Sequence, residues 1–356
     1  MRLPEELGVV RQRASEGKGR RVLCKTWRPF PGVAAAGLCM LLWPALVSSR
    51  QTDAERHGAA SLQKPLPPVV FPKSTTLPEV MPLLYWNGLP VINEIVNGKL
   101  SERFVLATGL NACAVTPASA KQYSMTALSG QAKVALFDQS STEPQVEIKS
   151  LQVGSVTIEN IPAASMDVSK SLSLGAHPDA PIGWLGTPLL SAVRITLDFD
   201  NHSIAFDSNQ SPRKSDPNDV IVPLTLRDGR MYVHATVPGA KPFLALIDTG
   251  TLGTLLPFSV VGQLGLKPAM QYVIARPNGK EAKLGLVFLP VLSVGKADCR
   301  KTRALFVLPG SASTFEPGTG VLGIDFLRRF RVTFDYSRRK MILAPLVAAD
   351  AATGNP

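Results

Sequence analysis

An internal repeat constrains the fold of this chain more than any other feature. Placing Asp248 over Ala107, 141 residues earlier, also brings Pro223 over Pro82, Leu224 over Leu83, Gly229 over Gly88, Val237 over Val96, Gly239 over Gly98 and Gly295 over Gly154. Further on the separation falls to 137 residues, a net deletion of four in the second copy, and Gly320-Val321-Leu322-Gly323 lies over Gly183-Trp184-Leu185-Gly186. At that same separation Arg331-Val332-Thr333-Phe334-Asp335-Tyr336 overlies Arg194-Ile195-Thr196-Leu197-Asp198-Phe199. One register held over so long a stretch means a duplicated unit, and units of this length fold as two homologous domains. Residues 81–208 and 221–346 are assigned to them. Residues 209–220, polar and carrying Pro212 and Pro217, form the linker between them, and 347–356 a tail expected to be disordered.

Within each copy the pattern is one of short strands. Tyr232 to Val237 alternates and stops at Pro238-Gly239, Phe243 to Ile247 is the continuous apolar run of a buried strand, and Pro277-Asn278-Gly279-Lys280 is a hairpin turn. Gly130 marks the expected tip of the matching hairpin in the first copy. The one helix to be expected per copy follows the Leu-Gly turn, where Phe326, Leu327 and Phe330 make an apolar stripe over Asp325 to Phe330. The fold class is therefore all-β, two tandem barrels with one short helix each.

The N-terminus has a different character. Arg11, Arg13, Lys18, Arg20, Arg21, Lys25 and Arg28 precede an apolar run from Val33 to Val47 that is short for a membrane span and interrupted by Pro44. Residues 1–49 are expected to be an export signal, either cleaved near Ser49 or kept as a membrane anchor, with Arg20-Arg21 resembling a twin-arginine signal. That makes the protein exported, periplasmic or held at the cell envelope. Residues 50–80, with Lys64-Pro65-Leu66-Pro67-Pro68, are expected to be a Pro-rich linker. The formal charge of +11 owes much to the N-terminal segment, which holds eight Lys/Arg against three Asp/Glu. No basic run is interleaved with aromatics, Arg328-Arg329 reads as a solvated helix face and Arg338-Arg339-Lys340 as a hairpin turn, so no nucleic acid is expected.

Metal and redox chemistry find no support in the sequence. Past residue 49 only Cys113 and Cys299 remain, one per copy and without metal-ligand spacing, and Cys299 falls over Ile158, which favours a buried apolar role. His57, His177, His202 and His234 are scattered. Neither a metal nor a cofactor is expected. Gly318-Thr319-Gly320-Val321-Leu322-Gly323 fits a dinucleotide-site string, but a loop rather than a strand precedes it. Asp198 and Asp335 recur at strand ends, where turn capping accounts for them.

Asp248-Thr249-Gly250-Thr251 behind the apolar Leu246-Ile247, together with the Val321-Leu322-Gly323 turn and its helix, resembles the retropepsin-like aspartic peptidases, particularly their bacterial exported relatives. The resemblance covers residues 82–207 and 221–345. It implies that two aspartates face each other across a pseudo-dimer axis, share a proton and hold a water, one acting as base while the other donates to the scissile carbonyl. It also implies that Thr249 hydrogen-bonds across the axis, that Thr251 supports the aspartate, and that the hairpin at Asn278 and Gly279 forms a flap over a peptide or protein substrate. The first copy departs from this pattern. It reads Ala107-Thr108-Gly109, with a methyl where the second carboxylate belongs.

Three readings follow. Asp248 can meet Asp248 of a second chain in a homodimer through the second domain, which makes an aspartic endopeptidase. The tandem pair can instead form a non-catalytic cleft that binds extended peptides by strand addition. In a third reading a loop carboxylate such as Asp138 fills the gap at Ala107. Apolar Leu246, Ile247, Leu255 and Leu256 fit core and pocket equally.

Overall fold

The computed structural model describes residues 22–23, 67–73, 76–136, 139–167, 180–211, 216–275, 281–310 and 318–346. The apolar run of the expected export signal, the tip residues Asn278 and Gly279, Asp138 and the C-terminal tail lie outside them. No helix among the described residues is long and apolar enough to cross a membrane.

Each repeat copy folds into its own β domain, and the duplication is visible in the backbone. Left-handed residues occur in matched positions, Asn87 with Asp228, Ser124 with Gly265, Asn160 with Lys301 and His202 with Arg339. Asn, Asp, His and glycine tolerate that conformation, while Lys301 and Arg339 keep it where their counterparts are Asn160 and His202, so the turns kept their places as the copies diverged. In the first domain, strands Leu89–Val96, Ser101–Leu106, Gln139–Val153 and Val156–Ser165 form the framework. Strands Arg230–Thr236, Phe243–Ile247, Glu281–Val294 and Ala297–Val307 do so in the second.

A third sheet joins the domains. Its six strands run Val220–Pro223, Lys340–Pro345, Phe330–Asp335, Arg194–Asp198, Ser203–Asp207 and Glu79–Pro82. At its centre Thr196 pairs with Thr333, and their hydroxyls share a 2.8 Å hydrogen bond. These residues are repeat equivalents, so a pseudo-two-fold axis passes between them. Ile195, Leu197, Phe206, Val332, Phe334 and Leu343 turn the inner face of this sheet into the main core. The segment expected to be linker takes part. Glu79–Pro82 closes one edge of the shared sheet and Val69–Val70 pairs with Thr157 and Ile158, because both segments cover strand edges whose backbone groups would otherwise lack partners. Val22–Leu23, within the expected signal, runs parallel to Ala297 and Asp298.

Among the described residues each domain has two helices rather than the one expected. Thr187–Leu190 and Ile324–Leu327 follow the Leu-Gly turns as expected, although the second ends before Phe330, which already opens a strand. Pro117–Gln122 and Phe258–Gln263 are additional and six residues long, too short to show a helical period. The first did carry a readable signal: Thr116 caps the Ser119 amide at 3.1 Å and Pro117 opens the helix. Gly130 is not a hairpin tip. It sits inside strand Thr126–Leu136 at a register shift, and pairing with the next strand continues past it to Leu136 and Gln139. Arg329 is not solvated either; it is buried and donates to the Asp325 and Arg300 carbonyls. Cys113 and Cys299 are buried and not joined by a disulfide, and burial pushes the Cys113 thiol up to about 11.

The first-domain core contains a carboxyl group. Glu94 is 0 % exposed between Ile92 and Val96, at the position of Ala235 in the second domain, and neither of its oxygens has a hydrogen-bond partner. Burial raises its pKa well above the ordinary 4.5. A raised acid holds its proton in the folded state after the unfolded chain has released it, so the stability it allows is complete below the unfolded pKa and is lost as pH rises towards the folded one. Measured against Glu94→Gln, the wild type should lose about 1.4 kcal/mol of unfolding free energy per pH unit within that window. Urea unfolding of both proteins from pH 4 to 8 checks this; parallel stability curves would show that Glu94 does not titrate with folding.

Candidate active site

The two signature turns meet within one molecule. Strand Phe243–Ile247 leads into Asp248 and runs parallel to Thr319–Leu322, whose Leu322 carbonyl accepts the Asp248 amide at 3.0 Å. Strand Ser101–Leu106 leads into Ala107 in the same way, with the Leu185 carbonyl accepting the Ala107 amide at 3.0 Å. Both Leu-Gly turns pack so closely under these loops that a side chain on Gly186 would lie 2.0 Å from the Ala112 carbonyl oxygen, and one on Gly323 2.5 Å from that of Gly253. Only glycine fits there, which explains why this dipeptide survives in both copies.

Thr108 and Thr249 clamp the turns together across the axis. The Thr249 amide donates to the Thr108 hydroxyl at 3.0 Å and the Thr108 amide to the Thr249 hydroxyl at 3.1 Å. Each hydroxyl passes its own proton onward, Thr249 to the Leu106 carbonyl at 2.6 Å and Thr108 to that of Ile247 at 3.0 Å. The cross-axis role that the resemblance implies for Thr249 is thus filled from the first domain of the same chain. Within this chain the turn that faces Asp248 is therefore Ala107-Thr108-Gly109, and a homodimer through the second domain would have to break all four bonds.

The carboxyl group of Asp248 is held from three sides. Its Oδ1 accepts the Gly250 amide at 2.8 Å and the Gly109 amide from the other turn at 3.1 Å, while Oδ2 accepts the Thr251 hydroxyl at 2.6 Å. A side chain on Gly109 would come within 2.4 Å of Asp248 Cγ, so the first-domain turn touches the carboxyl directly. Asp248 is 8 % exposed, and burial pushes its pKa up; the Thr251 hydroxyl, the Gly250 and Gly109 amides and the Arg230 charge pull the other way. Asp248, Thr249, Gly250 and Thr251 lie together in the turn that follows strand Phe243–Ile247.

The first-domain half lacks that chemistry. Ala107 packs in an apolar cluster with Leu89, Leu110 and Trp184, and the repeat equivalent of Thr251 is Leu110, so the supporting hydroxyl has gone with the carboxylate. Leu246 and Leu255 belong to the matching second-domain cluster, while Ile247 and Leu256 lie in the main core. The strands flanking Asn278 and Gly279 do form a hairpin, with Ala275 paired to Glu281. Asp198 and Asp335 cap turns, accepting the Asn201 and Arg338 amides. Among the described residues no three His, Cys, Asp or Glu gather as metal ligands.

Two groups near Asp248 carried no sequence signal. Arg230 reaches it from the tip of the Arg227–Arg230 hairpin, and Tyr336 is buried with a hydroxyl that has no partner, its pKa raised by burial and by the Asp248 charge. Arg230 opens the strand paired with Phe243–Ile247, and Tyr336 follows strand Phe330–Asp335.

Comparison with known proteins agrees with this geometry. A family model described as aspartyl protease matches residues 93–189, and one described as gag-polyprotein putative aspartyl protease matches residues 233–329. No curated protein matches the chain in sequence. The crystal structure of an aspartic proteinase from Irpex lacteus resembles it with a TM-score of 0.49 and 16% identity, over 78% of this chain and 99% of that one. Each matched segment begins in the second strand before a signature turn and reaches the helix after its Leu-Gly, and the chain belongs to the retropepsin-like aspartyl protease family as two copies in tandem.

Proposed function

We propose that the protein is a non-catalytic member of its family that binds extended polypeptide over the paired turns without cutting it. The observation that carries this is the occupant of the axis: the position facing Asp248 belongs to Ala107 of the same chain, fixed there by the Thr108–Thr249 clamp. Hydrolysis needs one group to take a proton from water and another to give one to the carbonyl oxygen. Asp248 alone supplies one of the two. What remains suits binding. Strands Thr126–Leu136 and Met270–Ala275 each pair on one side only among the described residues, leaving backbone donors and acceptors to which an extended chain can add.

The test incubates purified protein with a diverse peptide mixture from acid to neutral pH, identifies products by mass, and follows retained peptides by pull-down. Binding without cleavage is expected, unchanged in Asp248→Asn. Cleavage that disappears in Asp248→Asn would overturn the proposal and require a second carboxylate from Asp138 or from another chain.

A further inference from the structure

The duplication has been broken at a second place beside the site. The hairpin tip Arg227-Asp228-Gly229-Arg230 is the repeat equivalent of Trp86-Asn87-Gly88-Leu89. Each tip reaches the opposite domain. A side chain on Gly229 would meet the Thr187 hydroxyl at 3.2 Å, and one on Gly88 would meet Leu252 at 3.1 Å. The two tips therefore flank the paired turns on opposite sides of the axis. On the first-domain side Trp86 and Leu89 join the apolar cluster that contains Ala107. On the other side Arg227 and Arg230 pair across the hairpin and lie over the Tyr232 ring at 5.9 and 5.8 Å. Substitution at both members of each pair is concerted: Leu89 stands with Ala107 where Arg230 stands with Asp248.

Arg230 is held in place without an acceptor. Its Nε is enclosed and has no hydrogen-bond partner. Asp248 does not serve as one, since its oxygens are engaged by Gly250, Gly109 and Thr251, and the guanidinium acts on it only through its field. Arg230 is only half-buried, and a planar guanidinium whose terminal nitrogens are not bonded to Asp248 matches a carboxylate, which accepts two parallel hydrogen bonds. Resting on the peptide-binding reading above, we propose that the ligand is an extended peptide bearing a carboxylate, seated against Arg230 and Arg227 on one side of the axis, with apolar side chains against Trp86 and Leu89 on the other. The broken symmetry thereby sets the direction in which the peptide lies.

Fluorescence anisotropy of the full-length protein with blocked apolar hexapeptides carrying one Glu, Gln or Lys at each position in turn tests this. The Glu peptides should bind about tenfold or more tightly than their Gln partners at one end of the hexapeptide only, as expected for a charge-assisted hydrogen bond. A parallel set with free C-termini shows whether a terminal carboxylate serves as well. Arg230→Leu, which copies Leu89, should abolish the Glu preference, and Arg230→Lys should keep part of it. Equal binding of Glu, Gln and Lys peptides by the wild type would overturn the charge assignment alone, without recourse to a variant. Absence of binding by any peptide would overturn the peptide-binding reading with it.

Discussion

Ala107→Asp combined with Leu110→Thr should turn this protein into an acid-active endopeptidase. The first substitution puts a carboxyl group opposite Asp248, and the site is prepared for it. A side chain built on Gly250 would come 3.2 Å from the Ala107 methyl and one on Gly109 2.7 Å from Asp248 Oδ1, so the two turns meet closely enough for facing carboxyls to share a proton. The second substitution restores the hydroxyl that Thr251 provides at 2.6 Å in the second domain. Two carboxyls so placed cannot both ionise at acid pH, and the proton they share is the one a lone Asp248 cannot supply. Positioned acid–base groups contribute roughly 10²–10⁴-fold to such reactions, so cleavage of the peptide mixture should rise from nothing detectable to that extent at pH 3–5. Asp248→Asn in the same background should remove it. A double variant that keeps its circular dichroism and melting transition yet cuts nothing would show that the missing carboxylate is not what silences the site.

Thr249→Val should cost about 2–4 kcal/mol of stability, because it strands two buried backbone groups at the axis. The Thr249 hydroxyl is the acceptor for the Thr108 amide and the donor to the Leu106 carbonyl, and the residue is 0 % exposed, so water cannot replace it. Valine fills the same space and removes both bonds. The partial control is Thr333→Val at the other end of the axis, where one shared bond with the Thr196 hydroxyl is lost and about 1 kcal/mol is expected. Urea unfolding of the three proteins decides the matter. A Thr249→Val protein no less stable than Thr333→Val would mean that the shared sheet, not the clamp, holds the domains together.

The duplication, the strand-rich character of each copy and the residues of the signature turn could be read along the chain, because they depend on local pattern: alternating apolar residues, turn glycines at fixed places, and a dipeptide that close packing preserves. The two extra helices escaped because six residues do not complete two helical turns. Glu94 escaped because an isolated acid in an alternating strand gives no hint of whether its face is inward; only the packing of Ile92 and Val96 around it shows that it is. Arg230 escaped because it lies far along the chain from the Asp248 it influences.

By itself the sequence determined that one turn has a carboxylate and the other has not, and that the two domains are copies. It left open which partner faces Asp248, since an Asp-Thr-Gly turn carries the same local information whether its counterpart lies in the same chain or another. Only the tertiary structure decided that. Pairing Thr196 with Thr333 at the base and Thr108 with Thr249 at the top sets the first domain on the pseudo-two-fold axis, so that within this chain the turn facing Asp248 is the one that carries Ala107.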